Sequence, residues 1–172
     1  TDTRVVSART GNLIGGGDWA AGRLVPDLMR AALNGGVVHI RNPHALRPWQ
    51  HVLSALSGYL ALAEAAHADE AFADGWNFGP ADHDARPVGW VADRLAELWP
   101  GRLRWEHDGP DRPGEVATLR LDSSQARARL GWQPGWDLEA ALARTVEWFA
   151  ALRAGEDMRD FTLRQIEAFA GA

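Results

Sequence analysis

"RTGNLIGGGDW", Arg9 to Trp19, follows the apolar pair Val5-Val6 and precedes a helical pattern that begins near Arg23. A strand, a glycine-rich turn and a helix, in that order, form the layout of a dinucleotide-binding fingerprint. The spacing does not fit it. Gly15 and Gly17 supply the first two positions of G-x-G-x-x-G, but position 20 is Ala20, and a G-x-x-G begun at Gly11 meets Ile14. No acidic residue closes a second strand at a suitable distance downstream. Three consecutive glycines then read as a backbone that turns sharply and lets a neighbouring group approach closely.

Outward from that turn, apolar and polar residues alternate between strand-like and helix-like periods. Arg4 to Arg9 reads as a short buried strand, and Arg23 to Leu33 as a helix that stops at Asn34-Gly35-Gly36. Val37 to Ile40 is a second strand. "RNPHALRP" reads as a loop because Pro43 and Pro48 disfavour regular structure, and Trp49 to Val52 looks extended. Leu53 to His67 is predicted helical, with Val52, Leu56, Tyr59, Leu60 and Ala63 on its apolar face and Ser54, Ser57 and Glu64 on the other. Gly75 to Gly79 gives a strand and turn, Val88 to Trp99 a helix, and Arg102 to Glu106 a strand. His107 to Glu115 is a long loop, and a short strand is expected around Leu119 to Leu121. Asp122 with Gln125 has the spacing of a capping box, Gly131 stands at a helix end, and Asp137 caps a further helix. A last helix runs from about Met158 to Phe169. Alternating strands and helices predict an α/β protein with at least partly parallel pairing.

Composition narrows the chemistry. The 172 residues carry a formal net charge of -5, so no basic stripe exists to track a nucleic-acid backbone. All 18 basic residues are arginine, and there is no cysteine, which removes disulfides and thiolate chemistry. The 6 histidines lack metal-ligand spacing, so no metal site is expected. The most apolar stretch, Val52 to Ala68, is interrupted by Ser54, Ser57 and Glu64, and no signal peptide opens the chain, so no membrane association and a cytoplasmic location are expected. A Tyr-x-x-x-Lys pair is impossible without lysine, and Tyr59 lies on an apolar helix face. No G-x-S-x-G occurs either, so no catalytic group is expected in this chain. Arginines beside proline or asparagine stand out instead: Arg41-Asn42-Pro43, Arg47-Pro48 and Arg112-Pro113-Gly114. A planar guanidinium on a stiff loop suits bidentate phosphate binding. The 9 tryptophans allow a different reading, a non-catalytic carbohydrate-binding or interaction module, although Trp90, Trp99 and Trp148 sit at core positions of helical patterns.

Taken together, "RTGNLIGGGDW…RLVPDLMRAALNG", "IRNPHALRPWQHVL", "WNFGP" and "DRPGE…LRLDSSQARARLGWQP…L…TVEWF" resemble the extended short-chain dehydrogenase/reductases, the NAD-dependent epimerase/dehydratase family that acts on nucleotide-sugars. The resemblance runs through the whole chain and is nearest to the 4,6-dehydratases of CDP-glucose; another nucleotide-sugar epimerase or dehydratase is the neighbouring possibility. It implies the C-terminal part of a Rossmann-like doubly wound domain with a smaller mixed α/β substrate-binding lobe, in an enzyme about twice as long. A start at Thr1, almost directly before a strand, fits that expectation of a part. The implied reaction oxidises sugar C4 with NAD, loses water across C5 and C6 and returns the hydride to C6, giving CDP-4-dehydro-6-deoxyglucose for deoxysugar biosynthesis. The fingerprint, the Tyr-x-x-x-Lys pair and the acidic pair belong to the family's other half, which is thereby expected to bind most of the NAD.

What carries over to this chain is substrate holding. Asn12 matches an asparagine that touches the nucleotide-sugar, and Leu13 lies beside the cofactor. Arg23 and Leu24 open a helix over the substrate, His39 flanks the base and Arg47 grips the diphosphate. Asn77 matches an asparagine of the next strand, and Asp111, Arg112 and Glu115 fall in a loop that closes over the nucleotide. Relatives often carry lysine at position 23, aspartate at 48 and histidine at 115. The family also implies a homo-oligomer.

Overall fold

The structure, a computed structural model, describes residues 3–109 and 116–171. Asp111, Arg112 and Glu115 therefore lie outside the described residues. The described chain is mixed α/β. Seven short strands are β1 (Ser7–Thr10), β2 (Asn12–Ile14), β3 (Val38–Ile40), β4 (Leu46–His51), β5 (Gly75–Phe78), β6 (Ala85–Pro87) and β7 (Trp105–His107). Six α-helices are α1 (Leu24–Asn34), α2 (Val52–Ala68), α3 (Val88–Leu98), α4 (Ser124–Leu130), α5 (Leu138–Ala154) and α6 (Met158–Ala170).

The strands pair as β1-β5, β2-β4-β6 and β3-β7, and every pair is parallel except β4 with β6. The expected parallel α/β class is thus present. The loop expected through Pro48 is not. Pro48 lies inside β4, where the strand changes neighbours: Leu46 to Pro48 pair with β6, and Trp49 to His51 pair with β2. At such a hand-over one missing N–H breaks neither ladder, and proline is tolerated. Gly11 makes room beside it, because a Cβ there would lie 2.4 Å from the Pro48 carbonyl oxygen.

Helix α2 presents the opposite face from the one its periodicity predicts. Ser54, Gly58, Leu62 and Ala66 are buried, while Leu60 is 68% and Leu56 45% exposed. Small size decides this, not polarity. The Phe78 ring lies where a Cβ on Gly58 would come within 2.3 Å of it, and the Ser54 carbonyl accepts a hydrogen bond from Trp132 Nε1 at 3.2 Å. Phe78 stands edge-on to Trp132 with ring centres 5.1 Å apart, in a cluster with Leu62, Trp76 and Ala126. Tyr59, at the border of the two faces and half-buried, packs edge-on to Phe78. The strand expected from Arg4 to Arg9 is also less covered than its sequence implies: among the described residues β1 pairs only with β5, and Val5 is 77% exposed. No strand forms at Leu119–Leu121; the nearby segment makes one isolated bridge, Thr118 with Leu46.

The larger core joins α1, α3 and α5 through Leu28, Met29, Val91, Leu95, Leu142 and Phe149. Helix ends follow their sequence signals. Asp137 accepts from Ala140 N, Asp157 from Arg159 N, and Gly131 and Gly155 end α4 and α5 in the left-handed conformation. Asp122 does accept from Ser124 N at 2.8 Å, which with the Ser124 hydroxyl holds its carboxyl below the usual range. Gln125 does not complete a capping box; its amide reaches Asp74 at 3.5 Å. Of the tryptophans proposed as an interaction surface, Trp49, Trp76, Trp99, Trp132 and Trp136 are buried, which favours packing over sugar stacking.

His51 caps α2 from the inside of the protein. Its Nδ1 accepts from Leu53 N at 3.2 Å, so the ring proton sits on Nε2, which has no hydrogen-bond partner among the described residues and lies beside the Trp136 ring. Burial lowers its pKa from 6.5 to about 4. The unfolded chain takes up this proton near pH 6.5 and the folded one refuses it until about pH 4. Stability is therefore full above the first value and falls as pH drops towards the second, by roughly 3 kcal/mol. Denaturant melts at pH 7.5 and 4.5 should show that loss, and His51→Asn, whose Oδ1 can accept the same N–H, should remove most of it. An unchanged pH slope in the variant would contradict a neutral buried His51.

Candidate functional site

The glycine turn comes first, because it could have been a pyrophosphate cradle. It is filled from within. A Cβ on Gly16 would lie 2.0 Å from Trp148 Cγ, and one on Gly15 would lie 2.9 Å from Val52 Cγ1. Gly17 has φ 79°, which a side chain would strain. Trp148 is pinned by Nε1 donating to the Thr162 hydroxyl at 2.9 Å and by edge-on packing with Phe149. The turn is thus the seat of an indole, as the failed spacing predicts.

A cavity of about 540 Å³ opens on the other side of the same segment. The loop after β1, strand β2, the first turn of α1 and the face of β4 form its walls. Parallel pairing of β2 with β4 sets Asn12 beside Trp49, and Arg47, two residues earlier and on the same face as Trp49, enters the wall. Asn12, Leu13, Arg23, Leu24 and Arg47 all line this one cavity. A smaller hollow of about 170 Å³ continues it, sharing Gly22, Leu24 and Val88, and there His39 joins Arg41 and Asn42. Six of the residues singled out in the sequence therefore share a single groove.

Asn77 does not. It pairs with Arg9 in the β1-β5 ladder, and its Nδ2 donates to the Asp122 carbonyl at 3.0 Å, tying β5 to the start of α4. Its Oδ1 is buried and has no hydrogen-bond partner among the described residues.

Arg47 is held in place as well as exposed to the cavity. Its Nη1 donates to the Leu46 carbonyl at 3.0 Å and to the Val116 carbonyl at 2.8 Å. Val116 belongs to the chain that resumes after the undescribed residues, and Ala117 and Leu119 bond to the Leu46 backbone beside it. Directly across the antiparallel pair stands Arg86, its guanidinium 5.0 Å above the Trp90 ring, while its carbonyl accepts from Trp49 Nε1 at 3.0 Å. A wall bearing Arg47 and Arg23 around an amide and apolar side chains suits an anionic ligand with a neutral part. Sequence reading missed Asp18 and Trp49, which also line the cavity. Their signals were the acidic residue ending "GGGD" and the alternation in "RPWQ". Among the described residues no group of three or more His, Asp or Glu could hold a metal ion, and no helix is long and apolar enough to cross a membrane.

The fold that frames this groove is that of about half a Rossmann-type short-chain dehydrogenase/reductase epimerase. UDP-glucose-4-epimerase of Stenotrophomonas maltophila, solved with NAD and formylated UDP-arabinopyranose, superposes with a TM-score of 0.76 at 20% identity, over 90% of this chain and 50% of that one. MoeE5 in complex with UDP-glucuronic acid and NAD superposes with a TM-score of 0.73 at 26% identity, over 86% and 48%. In sequence, the chain is similar to CDP-glucose 4,6-dehydratase of Salmonella typhimurium, with 46% identity over 98% of its own length. It spans 47% of that enzyme. No family model matches the chain.

If the glycine turn serves Trp148, Gly16→Ala should destabilise the fold by about 1–3 kcal/mol through overpacking, read from the urea midpoint. A turn that instead cradled a dinucleotide would lose NAD affinity in this variant and keep its stability.

Proposed function

We propose that this chain is the nucleotide-sugar-holding, C-terminal half of an NAD-dependent 4,6-dehydratase whose substrate is CDP-glucose. The observation that carries the reading is the gathering of Asn12, Arg23, Leu24 and Arg47 around one cavity, in a chain 46% identical to a CDP-glucose 4,6-dehydratase. Arg47 brings its guanidinium charge to the diphosphate, and Arg23, at the head of the helix over the substrate, lines the same cavity. Asn12 offers both a donor and an acceptor to the sugar-phosphate, Leu24 and Val88 supply apolar wall, and His39 flanks the base in the adjoining hollow. Asp111, Arg112 and Glu115 are assigned to the nucleotide by resemblance alone.

The glycine turn is not a cradle for NAD, because Trp148 occupies it; Leu13 is the one residue assigned to the cofactor's side. The dinucleotide and the proton-transferring groups are assigned to the part of the enzyme that these residues do not include. The exposed side chains of Val5 before β1 and of Leu56 and Leu60 on α2 are consistent with such a neighbour. A homo-oligomeric cytoplasmic enzyme completes the reading.

Two outcomes follow. The 172-residue chain by itself should neither retain NAD nor dehydrate CDP-glucose, and turnover by it alone would contradict the division of labour. In the whole enzyme, Arg47→Ala should weaken both CDP-glucose and CDP by about ten- to hundredfold, since charge-assisted bonds contribute roughly 1.5–3 kcal/mol. Arg47→Lys should recover part of the loss, and NAD content should stay the same. Equal calorimetric affinities for all three proteins would remove Arg47 from the site.

A further inference from the structure

Among the described residues Asp18 is the one carboxylate in the wall of the main cavity. Nothing in the proposed grip on a diphosphate uses it, and a carboxylate beside a phosphate is repelled. Its position resolves the conflict. Arg47 precedes Trp49, the partner of Asn12, and so stands at the start of β2; Asp18 follows Ile14, beyond the end of that strand. Strand residues Asn12 to Ile14 thus come between the two along the wall.

Asp18 is also firmly placed. The turn before it rests on Trp148, and the Asp18 carboxylate accepts from Ala20 N at 2.9 Å. Its second oxygen is 3.8 Å from Arg23 Nη1, an ion pair too long for a hydrogen bond. That oxygen keeps its capacity to accept from a ligand.

We propose that Asp18 determines sugar specificity: it accepts hydroxyl protons of an uncharged hexosyl group and rejects a sugar that carries a carboxylate. The proposal rests on reading the cavity as a nucleotide-sugar site. An ionised carboxylate is acceptor-only, and the hydroxyls of a neutral sugar are its natural donors, bound by charge-assisted hydrogen bonds. A uronate in the same place sets two carboxylates against each other, while Arg23, already paired with Asp18, compensates only in part. Asparagine at position 18 keeps an oxygen for the Ala20 N–H, removes the charge and releases Arg23 to attract a uronate.

The test is calorimetric titration of the whole enzyme, Asp18→Asn and Asp18→Ser with CDP, CDP-glucose and CDP-glucuronate at low salt, where charge effects are least screened. Serine also leaves an acceptor for the turn. The wild type should prefer CDP-glucose over CDP-glucuronate by about a hundredfold, and both variants should narrow that ratio to about tenfold or less while CDP affinity holds. If the wild type binds CDP-glucose and the ratio stays put in the variants, the role of Asp18 is overturned and the site reading stands. A matching loss of CDP affinity in both variants also overturns it, because the effect is then not on the sugar. If the wild type binds none of the three, the site reading falls and takes this inference with it.

Discussion

Strand β4 changes partners in mid-course, and the rest of the groove depends on that exchange. Up to Pro48 it is bonded to β6, which carries Arg86; from Trp49 it is bonded to β2, which carries Asn12. One six-residue strand thereby ties the loop after β1, the head of α1 and the head of α3 to a common wall. Arg47 sits one residue before the exchange, with its backbone on the β6 side and its guanidinium in the wall that β2 completes. Slipping the register by a single residue would turn Arg47 and Trp49 away from the cavity together.

Around that strand, bulk and smallness are matched pair by pair. Gly16 admits Trp148, Gly58 admits Phe78, and Gly11 admits Pro48. Gly11 and Gly16 look from the sequence like turn residues and Gly58 lies in a predicted helix, yet each is a close approach between elements. The consequence for function is a division within one segment: Gly15 and Gly16 pack against Val52 and Trp148, whereas Asn12 and Asp18 on either side of them line the cavity.

What was legible in the sequence was what local chemistry controls. Asp137, Asp157, Gly131 and Gly155 end helices where their hydrogen-bonding and backbone preferences place them. What was not legible depends on neighbours distant in the chain. Pro48 is allowed in a strand only because β4 changes partners there, and α2 buries its small residues because Phe78 and Trp132 arrive from elsewhere. Family resemblance singled out Asn12, Leu13, Arg23, Leu24, His39 and Arg47, and all six line the groove. Asn77 instead joins β5 to α4. Asp18 escaped notice because an aspartate after glycines reads as an ordinary turn residue, and only the enclosing walls give its carboxylate a direction.

The central claim is that this groove, and not the glycine turn, receives the anionic part of a nucleotide-sugar. A crystal structure of the whole enzyme with CDP-glucose measures it directly. The account places the diphosphate against the Arg47 guanidinium, the base towards His39, and Trp148 still seated on Gly16. A diphosphate lying on the 15–17 turn with Trp148 displaced, or bound away from Arg47, would contradict it.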